Sequence, residues 1–240
     1  CSREGGRKGF DKRATLKFVY VPAGNIFALG LFASPIPTFR RIMRNRSTEH
    51  FSGLPYVYAL LNCLISSWYG SPFVSTGNLS IMTVNSVGAI FQSVYISLFI
   101  VYVKRGKKMT MIGLLVMAFC LIGIIVFLSL RFFDSELRRM FVGFLSCASL
   151  VSMFASPLFV INLVIRMKSV EYMPFYLSLS TFLMSTSFFI YGIFNSDPFV
   201  YVPNGIGVIL GFIQLGLYYY YKKKRPDEDD CTEPLIISYS

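Results

Sequence analysis

The chain has 240 residues, of which 54% are hydrophobic and only 15% are charged, with a formal net charge of +11. Soluble domains carry about 25% charged residues, so this composition indicates a protein that is surrounded by lipid. The positive charge does not indicate nucleic-acid binding, because the basic residues lie in short clusters between long uncharged stretches, as they do beside membranes. With one histidine and no paired-cysteine motif, the sequence predicts no metal site and no cofactor.

Uncharged stretches long enough to cross a bilayer divide the chain, since a charge at the bilayer centre costs at least about 2.5–3.5 kcal/mol. The stretch 51–103 is too long for one helix, and the turn-forming residues at 70–78 divide it in two. The sequence therefore predicts seven transmembrane helices, which lie in 18–39, the two parts of 51–103, 109–130, 140–165, 172–196 and 198–221.

The two ends of the chain are predicted to be disordered tails, 1–17 and 222–240, because neither shows an apolar periodicity. Lys and Arg are concentrated in the short loops after helices 1, 3 and 5 and in the "KKKR" that follows helix 7. This distribution predicts a cytoplasmic C-terminus and an extracellular or lumenal N-terminus. The basic residues of the N-terminal tail are the one feature that opposes this orientation.

The chain contains an internal repeat. The tetrapeptide "FASP" at 32–35 recurs at 154–157, and the residues that follow each copy continue to match. Further matched pairs are Pro55 with Pro174 and Asn85 with Asn204. Helices 1–3 are therefore predicted to repeat as helices 5–7, while helix 4 is unpaired.

The unpaired fourth helix determines how the two copies are oriented. Three helices followed by one linker helix leave both copies pointing the same way across the membrane, and such parallel repeats enclose a substrate site near the midplane. We therefore predict an all-α integral membrane protein with two parallel three-helix bundles, 18–103 and 139–221, joined by a linker helix at 109–130.

Four prolines recur in register near the predicted cytoplasmic ends of helices. Each proline removes a backbone hydrogen bond and bends a helix. The sequence thus predicts hinges at Pro35, Pro55, Pro157 and Pro174. An alternative for the second and fourth is that they simply begin helices, where proline is favourable.

Asn85 and Asn204 are the paired amides within helices 3 and 7. Their donors and acceptors suit a polar, uncharged ligand, although a hydrogen bond between helices is the alternative. Additional polar side chains predicted at the same level are Asn62, Ser66, Ser185 and Ser187. Because no ionisable residue lies inside the seven spans, the sequence favours a neutral, hydroxyl-rich substrate that moves down its gradient.

The chain resembles the SWEET sugar facilitators (the MtN3/saliva family), plant members above all. The residues that carry this resemblance are "GNIFALGLFASPIPTF", "LLNCLISSWYGSPFV", "TVNSVGA", "KSVEYMPF" and "DPFVYVPNGIG", which together span most of 24–221. The resemblance implies alternating access, in which the four prolines allow the bundles to rock. It also implies substrate contacts at Asn85, Asn204, Ser66, Asn62, Phe188 and Met184, and a non-cytoplasmic gate formed by Tyr69 and Asp197.

Two positions refine the implied substrate. Phe188 stands where the family commonly has tryptophan, so stacking on a sugar ring is retained while the indole N–H donor is lost. Leu31 stands where smaller residues accompany disaccharide transport in relatives, which favours a monosaccharide such as glucose. The resemblance further implies a homotrimer in the plasma or vacuolar membrane, and the small-residue spacing in "GIGVILG" at 205–211 suits either helix contacts between subunits or packing within one bundle.

Two other classes of protein are alternatives to a sugar uniporter. A seven-helix sorting or signalling receptor for a peptide is disfavoured because its pocket would be expected to carry charged residues. A membrane enzyme is disfavoured because the sequence offers no nucleophile–base pair and no metal cluster.

Overall fold

The computed structural model describes residues 24–48, 51–170, 173 and 175–224. Every regular element within these ranges is a helix, as predicted. The helices are α1 (24–33), α2 (Ile36–Asn45), α3 (Leu54–Tyr69), α4 (Leu79–Tyr102), α5 (Arg105–Arg131), α6 (Ser135–Met153), α7 (Ala155–Met167), α8 (Phe175–Phe194) and α9 (Pro198–Lys224). The predicted tail 1–17 and most of the tail 222–240 lie outside the described residues, but α9 continues into the latter.

Five helical stretches in the described ranges are long and apolar enough to cross a membrane. They are Leu79–Tyr102, Arg105–Arg131, Ser135–Met167, Phe175–Phe194 and Pro198–Lys222. The first predicted span lies partly outside the described residues, and the second forms α3, which has 16 residues. The connection between α3 and α4 falls at 70–78, where the turn-forming residues predicted it.

Both copies of the repeated tetrapeptide interrupt a helix. In the first copy α1 ends at residue 33 and α2 begins at Ile36, so the break includes Pro35. In the second copy the break falls at Phe154, three residues before Pro157. A proline cannot donate the backbone hydrogen bond that a continuous helix requires, which accounts for an interruption at both places. That these breaks act as hinges during transport stays a prediction.

The other two predicted hinge prolines differ from this pair. Pro55 lies in the first turn of α3, where the backbone N–H has no partner within the helix in any case. Its position therefore matches the alternative that this proline begins a helix. Pro174 lies outside the described residues.

The described residues divide into two compact units. The amino-terminal unit contains residues 32–149, and the carboxy-terminal unit contains residues 24–31 together with 150–224. The division places α1 with α7–α9, whereas the predicted bundles 18–103 and 139–221 assign the first helix to the first bundle. The predicted bundle boundaries stay a prediction.

Aromatic side chains hold α2 against the rest of the amino-terminal unit. Phe39 is 2% exposed and stacks on Tyr95 of α4 with ring centroids 4.7 Å apart, while Tyr56 of α3 meets its ring edge at 5.1 Å. The Tyr95 hydroxyl donates to the backbone carbonyl of Phe32 at 2.7 Å, beside the helix break. Aromatic pairs of this kind contribute about 0.5–1.5 kcal/mol beyond area burial. The orientation of α2 is thus determined by packing across α3 and α4.

Polar contacts attach the linker helix α5 to the rest of the amino-terminal unit. The Trp68 indole N–H donates to Ser129 Oγ at 3.1 Å, and the Arg138 guanidinium donates to the Ser129 carbonyl at 2.8 Å. Arg138 also donates to the carbonyls of Phe73, at 3.0 Å, and of Phe133, at 3.1 Å. One guanidinium thereby satisfies carbonyls that the end of α5 and the α3–α4 loop would otherwise leave unpaired.

Two glycines show the repeat in the backbone itself. A Cβ on Gly70 would lie 2.5 Å from the backbone nitrogen of Met82, and a Cβ on Gly192 would lie 2.6 Å from the backbone nitrogen of Tyr201. Gly70 occupies the end of α3 against α4, and Gly192 lies in α8 against α9, so the same close approach occurs once in each copy. Only glycine allows two backbones to come this near.

The glycines of "GIGVILG" pack within the carboxy-terminal unit. A Cβ on Gly207 would lie 2.5 Å from Ser185 Oγ, and one on Gly211 would lie 2.9 Å from Phe182 Cβ. Of the two interpretations left open by the sequence, packing of α9 on α8 is the one that these contacts support.

Candidate functional site

Asn85 and Asn204 have the same local geometry in the two copies of the repeat. The Asn85 side chain donates to the carbonyl of Ile81 at 2.9 Å, and Asn204 donates to the carbonyl of Val200 at 2.8 Å. Each bond runs one turn back along its own helix and uses one of the four hydrogen-bonding positions of the amide. Asn85 is half-buried and Asn204 is 8% exposed. Both amides are held in a defined orientation and retain the capacity to bind a hydroxyl group.

Asn62 and Ser66 lie one turn apart on a buried face of α3, and both are hydrogen-bonded to α6. Asn62 Oδ1 accepts from Ser149 Oγ at 2.9 Å, and the Ser66 and Ser146 hydroxyls lie 2.9 Å apart. All four residues belong to the amino-terminal unit. The predicted substrate contacts on α3 are therefore part of a polar seam (Asn62, Ser66, Ser146 and Ser149) between α3 and α6.

Ser146 and Ser149 were missed by the sequence reasoning. Their partners lie 80 and 87 positions earlier in the chain, so local periodicity could not connect them. The available signal was their spacing, because residues three apart share one helix face. Tyr58 extends the seam by one turn, since its hydroxyl donates to the Ser149 carbonyl at 3.3 Å.

Phe188 and Met184 lie one turn apart on α8. Phe188 is 8% exposed and packs edge-on against Tyr191, with ring centroids 6.4 Å apart. A Cβ on Gly24 of α1 would lie 3.3 Å from the Phe188 ring, so α1 passes close to this face of the ring. Met184 is half-buried. The structure places both side chains within the carboxy-terminal unit, and their contact with a substrate stays a prediction.

The two polar positions on α8 that the sequence predicted, Ser185 and Ser187, make different contacts. Ser187 donates to the carbonyl of Leu183 at 2.8 Å, which is a bond within its own helix. Ser185 is 2% exposed and lies against Gly207 of α9. Ser187 thus makes the same one-turn-back bond as the two asparagines, whereas Ser185 lies at the contact between α8 and α9.

The two predicted gate residues are buried. Tyr69 is 1% exposed at the end of α3, and Asp197 is 0% exposed directly before α9. Asp197 Oδ1 accepts the backbone N–H of Phe199 at 3.1 Å, so this carboxylate acts as a helix N-cap. The N-cap accounts for an aspartate at this position, and the gate stays a prediction.

The described residues contain no group of three or more His, Cys, Asp or Glu side chains that could hold a metal ion. The acidic residues in these ranges are Asp134, Glu136 and Asp197, and each lies in a loop or within two residues of a helix start. Within the described residues, therefore, no acidic side chain lies deep inside a helix.

The chain matches the protein family described as "Sugar efflux transporter for intercellular exchange" over residues 18–107 and 140–226. The two matched segments each contain one copy of the repeat, and the interval between them contains the linker helix. A match in two such segments is expected for a duplicated three-helix unit.

Individual proteins resemble the chain over most of its length. It is 68% identical over 217 residues to "Bidirectional sugar transporter SWEET2" of Arabidopsis thaliana, covering 90% of this chain and 92% of that protein. It is 61% identical over 196 residues to "Bidirectional sugar transporter SWEET2a" of Oryza sativa subsp. indica, covering 82% and 81% respectively. A solved structure described as a eukaryotic SWEET transporter has 56% identity and a TM-score of 0.86, covering 88% of this chain and 99% of the other. This likeness confirms the predicted fold of two three-helix repeats and a linker helix.

Proposed function

We propose that this chain, which belongs to the family of sugar efflux transporters for intercellular exchange, carries a neutral monosaccharide in both directions across a membrane. Glucose is the substrate that we propose among the monosaccharides. The family is one of transporters and not of enzymes. Transport is passive in this proposal, since the predicted spans contain no ionisable side chain to couple sugar movement to protons.

The observation that carries the proposal is the matched geometry of Asn85 and Asn204. Each amide is oriented by the same bond at an equivalent position of its copy, which suits it to bind a sugar hydroxyl. Phe188 and Met184 supply apolar surface for the ring, and the α3–α6 polar seam supplies hydroxyls. A charged substrate would leave its charge without a partner in these surroundings.

In this proposal the interruptions in the helices allow the movements of alternating access. The breaks at the two "FASP" copies let the segments on either side change their angle without breaking a continuous ladder of hydrogen bonds. Tyr69 and Asp197 form the non-cytoplasmic gate in this proposal. Their near-complete burial suits residues that close a path.

Orientation, membrane and assembly belong to the same proposal. The basic loops after helices 1, 3 and 5 support a cytoplasmic C-terminus and an extracellular or lumenal N-terminus, in the plasma or vacuolar membrane. A homotrimer is proposed on the family resemblance. Single cysteines placed at Lys107 and at Phe132 lie near opposite ends of α5. Labelling them from outside sealed vesicles tests the orientation, because only one of the two should react.

Uptake of radiolabelled glucose into proteoliposomes that contain only this protein tests the function. We expect saturable uptake that equilibrates and is the same with and without a pH gradient, and sucrose should compete poorly. Accumulation driven by the gradient would contradict passive transport. Absence of uptake for every sugar tried, from folded protein, would contradict the proposal itself.

A further inference from the structure

A cavity of about 430 Å³ lies beside α2 in the amino-terminal unit, away from the predicted sugar contacts. Its size falls within the range of small-molecule pockets, about 300–1,000 Å³. Six of its seven lining residues lie on α2, and the seventh, Phe51, lies in the loop that follows. The residues that line it are Pro37, Thr38, Arg40, Arg41, Arg44, Asn45 and Phe51.

The charged side chains that line this cavity are all positive, and Thr38 and Asn45 add neutral polar groups. Three are arginines, each with a fork of N–H groups that matches phosphate or carboxylate oxygens. Thr38 adds a hydroxyl and is only 6% exposed. None of the described lining residues is a carboxylate.

The fold does not require these arginines. In the second copy of the repeat, Asn162 and Leu163 of α7 stand where α2 has Arg40 and Arg41. The buried face is nevertheless retained, since Ile42 is 1% exposed and its counterpart Val164 is 0% exposed. The arginine pair is thus specific to the first copy and is added to a helix that packs equally well without it.

Phe51 fixes one of the arginines at the cavity. The Arg41 guanidinium lies over the Phe51 ring, 5.9 Å from its centroid, which restricts the movement of a long side chain. The same short segment, 36–51, contains four arginines against the single carboxylate of Glu49, which lies outside the described residues. Segment 36–51 therefore keeps a net positive charge, whichever arginine pairs with Glu49.

We propose that the arginine cavity binds a phosphate-bearing anion, either the headgroup of an anionic lipid or a soluble phosphate compound. Clustered arginines at the membrane–water boundary attract such headgroups, with about 1 kcal/mol for each basic residue, or about fivefold in affinity. This site is separate from the proposed sugar contacts and does not depend on the chain transporting a sugar.

Two binding measurements on the purified full chain test the site and separate the two sources. Inorganic pyrophosphate is titrated calorimetrically against protein in phosphatidylcholine nanodiscs. In a separate measurement, the protein is released from nanodiscs that also contain phosphatidylinositol monophosphate. Mass spectrometry then measures how many molecules of this lipid remain bound to the protein. Binding in the lipid measurement alone identifies a headgroup, binding of pyrophosphate alone identifies a soluble phosphate, and binding in both shows that the phosphate group suffices.

The double variant Arg40→Gln/Arg41→Gln should weaken binding about 10–30-fold, while Arg40→Lys/Arg41→Lys should weaken it less because it keeps the charge. The matched control is Arg166→Gln/Lys168→Gln on α7, which removes two positive charges from the second copy and should leave binding unchanged. Equal loss in both double variants, or no binding in either measurement, would overturn the proposal. If the glutamine variant does not fold, two other measurements test the site. The lysine variant should bind more weakly than the wild type, and the affinity of the wild type should fall as salt is added.

Discussion

Asn85 and Asn204, 119 positions apart in the chain, each donate a side-chain N–H to the carbonyl one turn earlier, at 2.9 and 2.8 Å. The bond orients each amide so that its remaining groups point in a defined direction from the helix. A residue that only joined two helices would be expected to use its amide between them. The repeated local bond leaves the other hydrogen-bonding groups of each amide for the sugar contact that we propose.

Replacing either amide should abolish most sugar uptake. Asn204→Ala, and separately Asn85→Ala, remove hydrogen bonds to the proposed sugar, and initial glucose uptake in proteoliposomes should fall about tenfold or more. Ser93→Ala is a matched control, because Ser93 makes the same kind of bond, to Ala89 at 2.7 Å, from an exposed face of α4. Full uptake by folded Asn204→Ala protein would show that this residue is not a substrate contact.

The helix breaks at the repeated tetrapeptide should be needed for movement. In Pro35→Ala/Pro157→Ala, helices can continue through both breaks, so we expect slower uptake and equal or higher thermal stability. Pro55→Ala serves as the control, since Pro55 occupies a helix start where little changes on replacement. Unchanged uptake in the double variant would show that the repeated "FASP" serves packing and is not needed for movement.

The α3–α6 polar seam should behave as a coupled pair. Ser66→Ala and Ser146→Ala each leave the other hydroxyl without its 2.9 Å partner, at a cost of about 1 kcal/mol. The double variant should be less destabilised than the sum of the two, as measured by thermal unfolding in detergent. If the losses of stability were additive, and Ser66→Ala alone raised the KM for glucose, the result would contradict a bond between Ser66 and Ser146. It would indicate that Ser66 contacts the sugar.

The close approaches at the repeated glycines should not tolerate a methyl group. Gly70→Ala and Gly192→Ala place a Cβ 2.5 and 2.6 Å from a backbone nitrogen, so each should lower the unfolding free energy by about 1–3 kcal/mol. Gly216→Ala is the control, because nothing lies within 4 Å of its Cβ position and alanine favours the helix. Thermal unfolding followed by size-exclusion chromatography distinguishes them, and wild-type stability in Gly192→Ala would contradict the close packing of α8 on α9.

Much of the fold could be predicted from the sequence because the physical signals are local. Charges mark the ends of spans, and the turn residues at 70–78 separate α3 from α4. The proline in each "FASP" indicates a bend or break in its helix. The site was harder to predict. Ser66 is polar and lies on α3 as expected, but that it bonds to Ser146 depends on how α3 packs against α6.

The sequence by itself determined the number of spans, the duplication and the absence of charge within the predicted spans. Bilayer thickness, repeat spacing and the cost of buried charge all act on residues that are close together in the chain. Only the tertiary structure decided which side chains meet. It paired Ser66 with Ser146, placed the glycines of "GIGVILG" against α8, and gathered the arginines of α2 around a cavity with Phe51. These contacts depend on the packing of one helix against another or against a loop, which no local pattern of residues specifies.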